Sequence, residues 1–187
     1  MFISGAALTE LLTNKTEEWT SKFPDRSGIV SPVTLTDKII YLHYCNFYQW
    51  HKEDTAHDMQ LNESEIGRLK RKIDTSNLDR SAMIDRIDAY FVSKLRIIPT
   101  ENWSKFYINS HTLGEIIDKL SILCLKRFFA QLRLKKSAPE SAEKYIREIE
   151  TVEELVNYVT TCYDRFLKHL SVGKGYMPYG QFKTYGA

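Results

Sequence analysis

The stretch LHYCNFYQWHKEDTAHD, Leu42 to Asp58, places charge where a helix should be apolar. At about 100° per residue, Ile39, Ile40, Phe47 and Trp50 fall on one arc. His43 and Asp54 lie near the centre of that arc, with Asn46, His51 and Glu53 at its margins. The next segment, KIDTSNLDRSAMIDRIDAYF, makes the same exception. Its stripe is Ile73, Ile84, Ile87 and Phe91, with Arg80 in the middle and Asn77 beside it. Burying an ionisable group costs on the order of several kcal/mol unless hydrogen bonds offset it. Two neighbouring helices that share the exception point to one shared polar site.

The rest of the chain reads as helix. Leu8, Leu11, Leu12 and Trp19 give an amphipathic helix over roughly 5–22, ended by FPDRSGIVSPV with its two prolines and a glycine. Thr34 to Asp37 resembles a capping box and opens a second helix to about residue 58. After the short link MQLN, Asn62 and Glu65 cap a third helix to about Lys94, so short a link making the two an antiparallel pair. Residues 96–111 are irregular. Thr112 and Glu115 then open a helix to about Lys135, apolar around most of its circumference and so taken as central. Pro139 lies in the first turn of a last helix that is expected to bend near Thr151. There Leu155, Val156, Val159, Tyr163, Phe166 and Leu170 form a stripe free of charge, so this chain can write an ordinary core helix. The polar intrusions elsewhere are therefore signal. The glycine-rich, aromatic residues 172–187 read as an irregular arm, and no strand shows convincing alternation. The expectation is an all-α, single-domain bundle of about five to six helices spanning 1–187, with a long antiparallel hairpin.

Composition sets bounds on function. The chain has 187 residues, enough for one domain with a sizeable core. A formal charge of +2 gives no reason to invoke nucleic acid, and the run LKRK (Leu69 to Lys72) reads as a solvated helix face. Three cysteines at wide spacing argue against a disulfide framework and fit a reducing cytoplasm. The first residues lack the basic region of a signal peptide, and no run approaches the roughly 18 apolar residues of a membrane span. A soluble cytoplasmic protein is expected.

With the turn near residue 60, His43 faces Asn77 and Asn46 faces Asp74, with Arg80 one turn from His43. The expected cluster is His43, Asn46, Asp74, Asn77 and Arg80, with Trp50, Glu53 and Asp54 running toward the turn. Such a cluster is either a structural network, with Arg80 on a carboxylate such as Asp118 and His43 on Asn77, or a ligand or catalytic site. A metal reading starts from Asp54-Thr-Ala-His57, a carboxylate and an imidazole three apart, as in helical di-metal sites. The second copy is missing. Asp85 and Asp88 bring no histidine and lie more than about 20 Å along the hairpin by that register. Neither a metal nor a cofactor is expected. Phosphate-binding glycine loops, CxxC, GxSxG and HExxH are absent.

Four ordered motifs carry a family resemblance: LHxxNxxxWHxED (Leu42 to Asp54), IDxxNxxR (Ile73 to Arg80), IIDKLSIL (Ile116 to Leu123) and YxQFKxY (Tyr179 to Tyr185). They are similar, over about 36–185, to the bacterial domain-of-unknown-function family DUF4254. The resemblance implies small all-helical bacterial cytoplasmic proteins, some encoded near enzymes of cell-envelope polysaccharide assembly. Its motif residues correspond here to His43, Asn46, Trp50, His51, Glu53, Asp54, Asp74, Asn77, Arg80 and Asp118. This chain has His57 where that family has arginine, which takes an Asp54–His57 metal pair further from the pattern.

The leading expectation is a binding protein for a small anionic metabolite, a phosphorylated sugar or nucleotide. Arg80 meets the anion, Trp50 forms a wall, and Asn46 and Asn77 orient polar groups. The rival is an enzyme with His43 and Glu53 or Asp54 as acid and base. A third is a structural adaptor for a partner protein or a second copy. An open pocket over His43 and Arg80 favours the first two, a sealed network the third.

Overall fold

The computed structural model describes residues 2–24, 32–56, 62–97 and 102–177. Its helices are α1 (Gly5–Ser21), α2 (Leu35–Ala56), α3 (Glu63–Leu95), α4 (Leu113–Lys136) and α5 (Pro139–Ser171). The expected starts are capped as read. Asn62 and Glu65, and Thr112 and Glu115, form reciprocal capping boxes. Thr34 and Asp37 exchange the same pair of bonds at the head of α2. At the far end of α3, Arg96 turns into the left-handed region at φ 52°, and its N–H closes on Val92.

α5 runs as one continuous helix through Thr151, where the sequence suggested a bend. From Val152 on, one stripe of Val152, Val156, Val159, Tyr163 and Phe166 is buried in the main core.

α4 is the central element. It buries Ile117, Leu120, Leu123 and Cys124 against α1, α2, α3 and α5 in one core with Leu12, Leu42, Ile87, Phe91 and Phe166. A smaller aromatic cluster, Trp19, Tyr44, Phe47 and Phe129, fills the end near the α2–α3 turn. α2 and α3 pair antiparallel as expected. Ser76 meets both Cys45 O (3.5 Å) and the Gln49 amide (3.2 Å), close to the register read from the sequence.

The strand-free expectation needs one correction. β1 (Tyr107–Ile108) pairs in parallel with β2 (Gly175–Tyr176), which ties the segment before α4 to the end of α5. Two residues per strand are too few to show alternation in a sequence. Gly175 is required there, because a Cβ would stand 2.8 Å from the Leu170 nitrogen. The rest of the expected arm, 178–187, lies outside the described residues, and with it Tyr179 to Tyr185. Among the described residues, no helix is long and apolar enough to cross a membrane.

Candidate functional site

The polar residues of α2 meet partners from three other helices. Arg80 on α3 donates from Nε (2.8 Å) and from a terminal nitrogen (2.5 Å) to the two oxygens of Asp118 on α4. Asn46 Nδ2 donates to Asp118 Oδ1 (3.0 Å) and to Ser121 Oγ (2.9 Å). His43 Nδ1 lies 2.7 Å from Ser121 Oγ, and its Nε2 lies 2.9 Å from Thr16 Oγ1 on α1. Thr16 in turn donates to the Leu12 carbonyl at 2.9 Å.

These contacts admit one consistent direction. Thr16 gives its one hydrogen to Leu12 O and so accepts from His43 Nε2, which leaves Nδ1 of the neutral ring to accept from Ser121. His43 therefore carries its proton on Nε2. Asp118 accepts from both Arg80 and Asn46, and from Asn46 the bonds run in one direction through Ser121, His43 and Thr16 to the Leu12 carbonyl on α1. His43, Thr16 and Ser121 are fully buried, and the Trp19 indole lies over the imidazole at 5.4 Å. Burial pushes the His43 pKa down to about 3, so the ring is neutral. Hydrogen bonding to Asp118 holds the Arg80 guanidinium above its ordinary value. Arg80 is the most exposed member, with 28% of its side chain in solvent against 9% for Asp118.

The structure therefore brings together His43, Asn46, Arg80 and Asp118 of the residues singled out from the sequence. The Arg80–Asp118 pair forms as read, but the partner expected for His43 does not. Asn77 and Asp74 are exposed on the outer face of α3, and Ser121 and Thr16 take their place. Glu53 and Asp54 are exposed too. Asp54 lies eleven positions along α2 from His43, about 16 Å at 1.5 Å per residue, so the two are not an acid–base pair. Trp50 stacks on Phe129 at 5.2 Å and 8°. His51 is half-buried among Phe23, Phe47 and Phe129, its Nε2 has no hydrogen-bond partner, and burial lowers its pKa.

Thr16 and Ser121 went unread as site residues, and Trp19 was read only as part of the apolar stripe of the first helix. Ser121 is the one hydroxyl in the apolar run IIDKLSIL, which is a signal. Thr16 sits among the polar residues of NKTEEW and carries none. His57 lies outside the described residues. Asp88 instead accepts from the Gly114 N–H at 2.7 Å, and among the described residues no three His, Cys, Asp or Glu side chains gather as a metal site would require.

Two hollows flank the sealed network. The larger, about 760 Å³, runs along the outer side of the α2–α3 hairpin. Tyr41, Tyr44 and Tyr48, spaced three and four apart on α2, form one wall, and Arg68, Arg71 and Lys72 on α3 stand on the other. No carboxylate among the described residues forms an ion pair with those three cations. Lys52 adds a fourth positive charge, 5.2 Å from the Tyr48 ring. The run read as a solvated face thus borders a groove. Cys45 and Ser76 at its floor are next to Asn46 and one turn from Arg80, so the network forms the back of the groove. The second hollow, about 580 Å³, lies where α2 meets the α4–α5 turn.

A family model described as "Protein of unknown function (DUF4254)" matches residues 36–179. No curated protein and no solved structure matches the chain.

Proposed function

This chain belongs to the DUF4254 family, and we propose that it binds a small anionic metabolite in the hairpin groove. The observation that carries this reading is the wall of Arg68, Arg71 and Lys72, in no ion pair with a described carboxylate and set across from three tyrosines, with Asp79 also in the lining. Like charges within one turn of a helix repel by roughly a few tenths of a kcal/mol, and an anion in the groove would reverse that cost. The phenol rings opposite offer flat apolar surface to the remainder of the ligand. A phosphorylated sugar or a nucleotide has both parts. The likeness to a family with members encoded near cell-envelope polysaccharide assembly makes the sugar ester the first to test.

Arg80 serves this reading indirectly. Its guanidinium is held by both oxygens of Asp118, so the relay fixes the spacing of α2, α3 and α4 and with it the width of the groove. An acid–base mechanism through His43 finds less support, because that imidazole is enclosed by Thr16, Ser121 and Trp19.

A thermal-shift screen of phosphorylated sugars, nucleotides and nucleotide-sugars tests the proposal. A ligand present at about 100 times its Kd should add roughly 2.7 kcal/mol, several degrees in Tm. The hit should disappear in Arg71→Gln/Lys72→Gln. A hit that survives that double substitution, or a screen with no hit at all, overturns it.

A further inference from the structure

α5, which lines no part of the groove, exposes an apolar row of its own. Val152, Val156, Val159 and Tyr163 bury one side of this helix in the main core. About 100° round from them, Leu155, Tyr158 and Cys162 follow one another three and four positions apart. Leu155 is 43% exposed and Tyr158 68%. Two turns on, His169 continues the row, with the Tyr107 ring flat against it at 4.2 Å and 7°. A lone exposed apolar side chain is ordinary, whereas a row of them along about 20 Å of helix marks a contact surface.

The charges beside the row select its partner. Glu150, Glu153 and Glu154 stand toward the start of α5, Arg165 and Lys168 toward its end, all of them exposed. None of the five forms an ion pair with a described residue, whereas Arg147 on the same flank is already held by Glu143. Glu150 and Glu154 are four positions apart and Arg165 and Lys168 three, so each group repels itself along the helix. Glu154 and Arg165 are about 16 Å apart along the axis, too far to meet within one helix. They do fall within about 20° of each other around it, on one flank of the row. A second α5 laid antiparallel over the row, with a two-fold axis near Val159 and Thr160, sets Glu154 opposite Arg165 of the other copy. The same register brings Glu150 opposite Lys168, and symmetry makes each pairing occur twice. A net charge of only +2 leaves little overall repulsion between copies.

We propose that the chain forms a two-fold homodimer through this face of α5. Leu155 and Cys162 of each copy pack around the two Tyr158 rings, and Glu154 meets Arg165 of the second copy on both sides of the axis.

Analytical ultracentrifugation of the full chain over a range of concentrations tests this. The native protein should show a reversible monomer–dimer equilibrium. Tyr158→Glu, at an exposed position, should raise the dissociation constant roughly tenfold or more while the circular dichroism spectrum stays that of the native chain. Glu154→Arg and Arg165→Glu should each weaken the dimer about tenfold, because each replaces two attractions by two repulsions. An equimolar mixture of those two variants should recover native affinity, since the unlike chains then meet opposite charges at both contacts. A dimer indifferent to Tyr158→Glu, or a mixture no tighter than its components, overturns the proposal. So does a chain monomeric at every concentration, and a Tm lowered by Tyr158→Glu in such a monomer would assign the row to residues 178–187 instead.

Discussion

At His43 the proton sits on Nε2 because Thr16 has already given its one hydrogen to Leu12 O and can only accept. That has a consequence for pH. The unfolded imidazole titrates near 6.5 and the buried one near 3, so between these values the unfolded chain binds more protons. The stability His43 contributes is complete above pH 6.5 and is lost as pH falls toward 3. Asp88 acts in the opposite sense. Burial raises its carboxyl to about 6, so its contribution is full below 3.8 and lost as pH rises through about 6. Replacing His43 by Gln removes the acid-sensitive limb. The Tm of the native protein should therefore fall more steeply on acidification from about pH 7 to 5 than that of His43→Gln. Equal slopes would show that the ring is not held neutral. Much of this chemistry was legible from residue positions alone: His43, Asn46 and Arg80 stood out because charge and amide broke an apolar arc. Asn77 and Asp74 misled, since the buried stripe of α3 is narrow and both fall just outside it.

Two helix starts in this fold also receive a carboxylate from another helix. Asp164 on α5 accepts from the Gly5 N–H at 2.8 Å, and Asp88 on α3 accepts from Gly114 at the start of α4. In both cases the absent side chain lets a neighbouring helix come close. A Cβ on Gly114 would stand 2.8 Å from the Ile84 carbonyl oxygen and 2.9 Å from Asp88 Oδ1. Alanine gains roughly 1 kcal/mol over glycine in helix propensity, whereas forced overpacking costs about 1–3 kcal/mol and here also disturbs a buried carboxylate. The clash should win, and Gly114→Ala should destabilise by about 1–2 kcal/mol in urea unfolding. Gly67 is the control. It has only a flexible Arg71 terminus at 3.7 Å, so Gly67→Ala should stabilise by about 0.5–1 kcal/mol. The reverse order would sink the account. The elements themselves were readable because their caps are local: Thr34, Asn62 and Thr112 sit three residues from the carboxylates that complete them. Contacts such as Asp88 with Gly114 join positions 26 apart and left no mark in local periodicity.

At the scale of the molecule, α4 holds the bundle and the hydrogen-bonded relay links four helices around it. The all-helical class was plain from periodicity, and the centrality of α4 from apolar residues around its circumference. The location of the hollows was not, since a groove is a relation between surfaces, and LKRK reads as solvated until α2 brings its tyrosines opposite. α1 is the part least connected to the rest in sequence. It supplies Thr16 to the last acceptor position of the relay, Trp19 over His43, and Leu8 and Leu12 to the core. Yet α1 precedes the matched span of 36–179. A chain trimmed to begin at residue 32 would leave a buried imidazole N–H without an acceptor and the faces of α4 and α5 open to water. Such a chain should lack a cooperative thermal transition, and a sharp one near that of the full chain would contradict this. The boundary by which the family is recognised is thus narrower than the boundary of the unit that folds, and fragments cut to the former would be judged unstable for a reason foreign to the residues they contain.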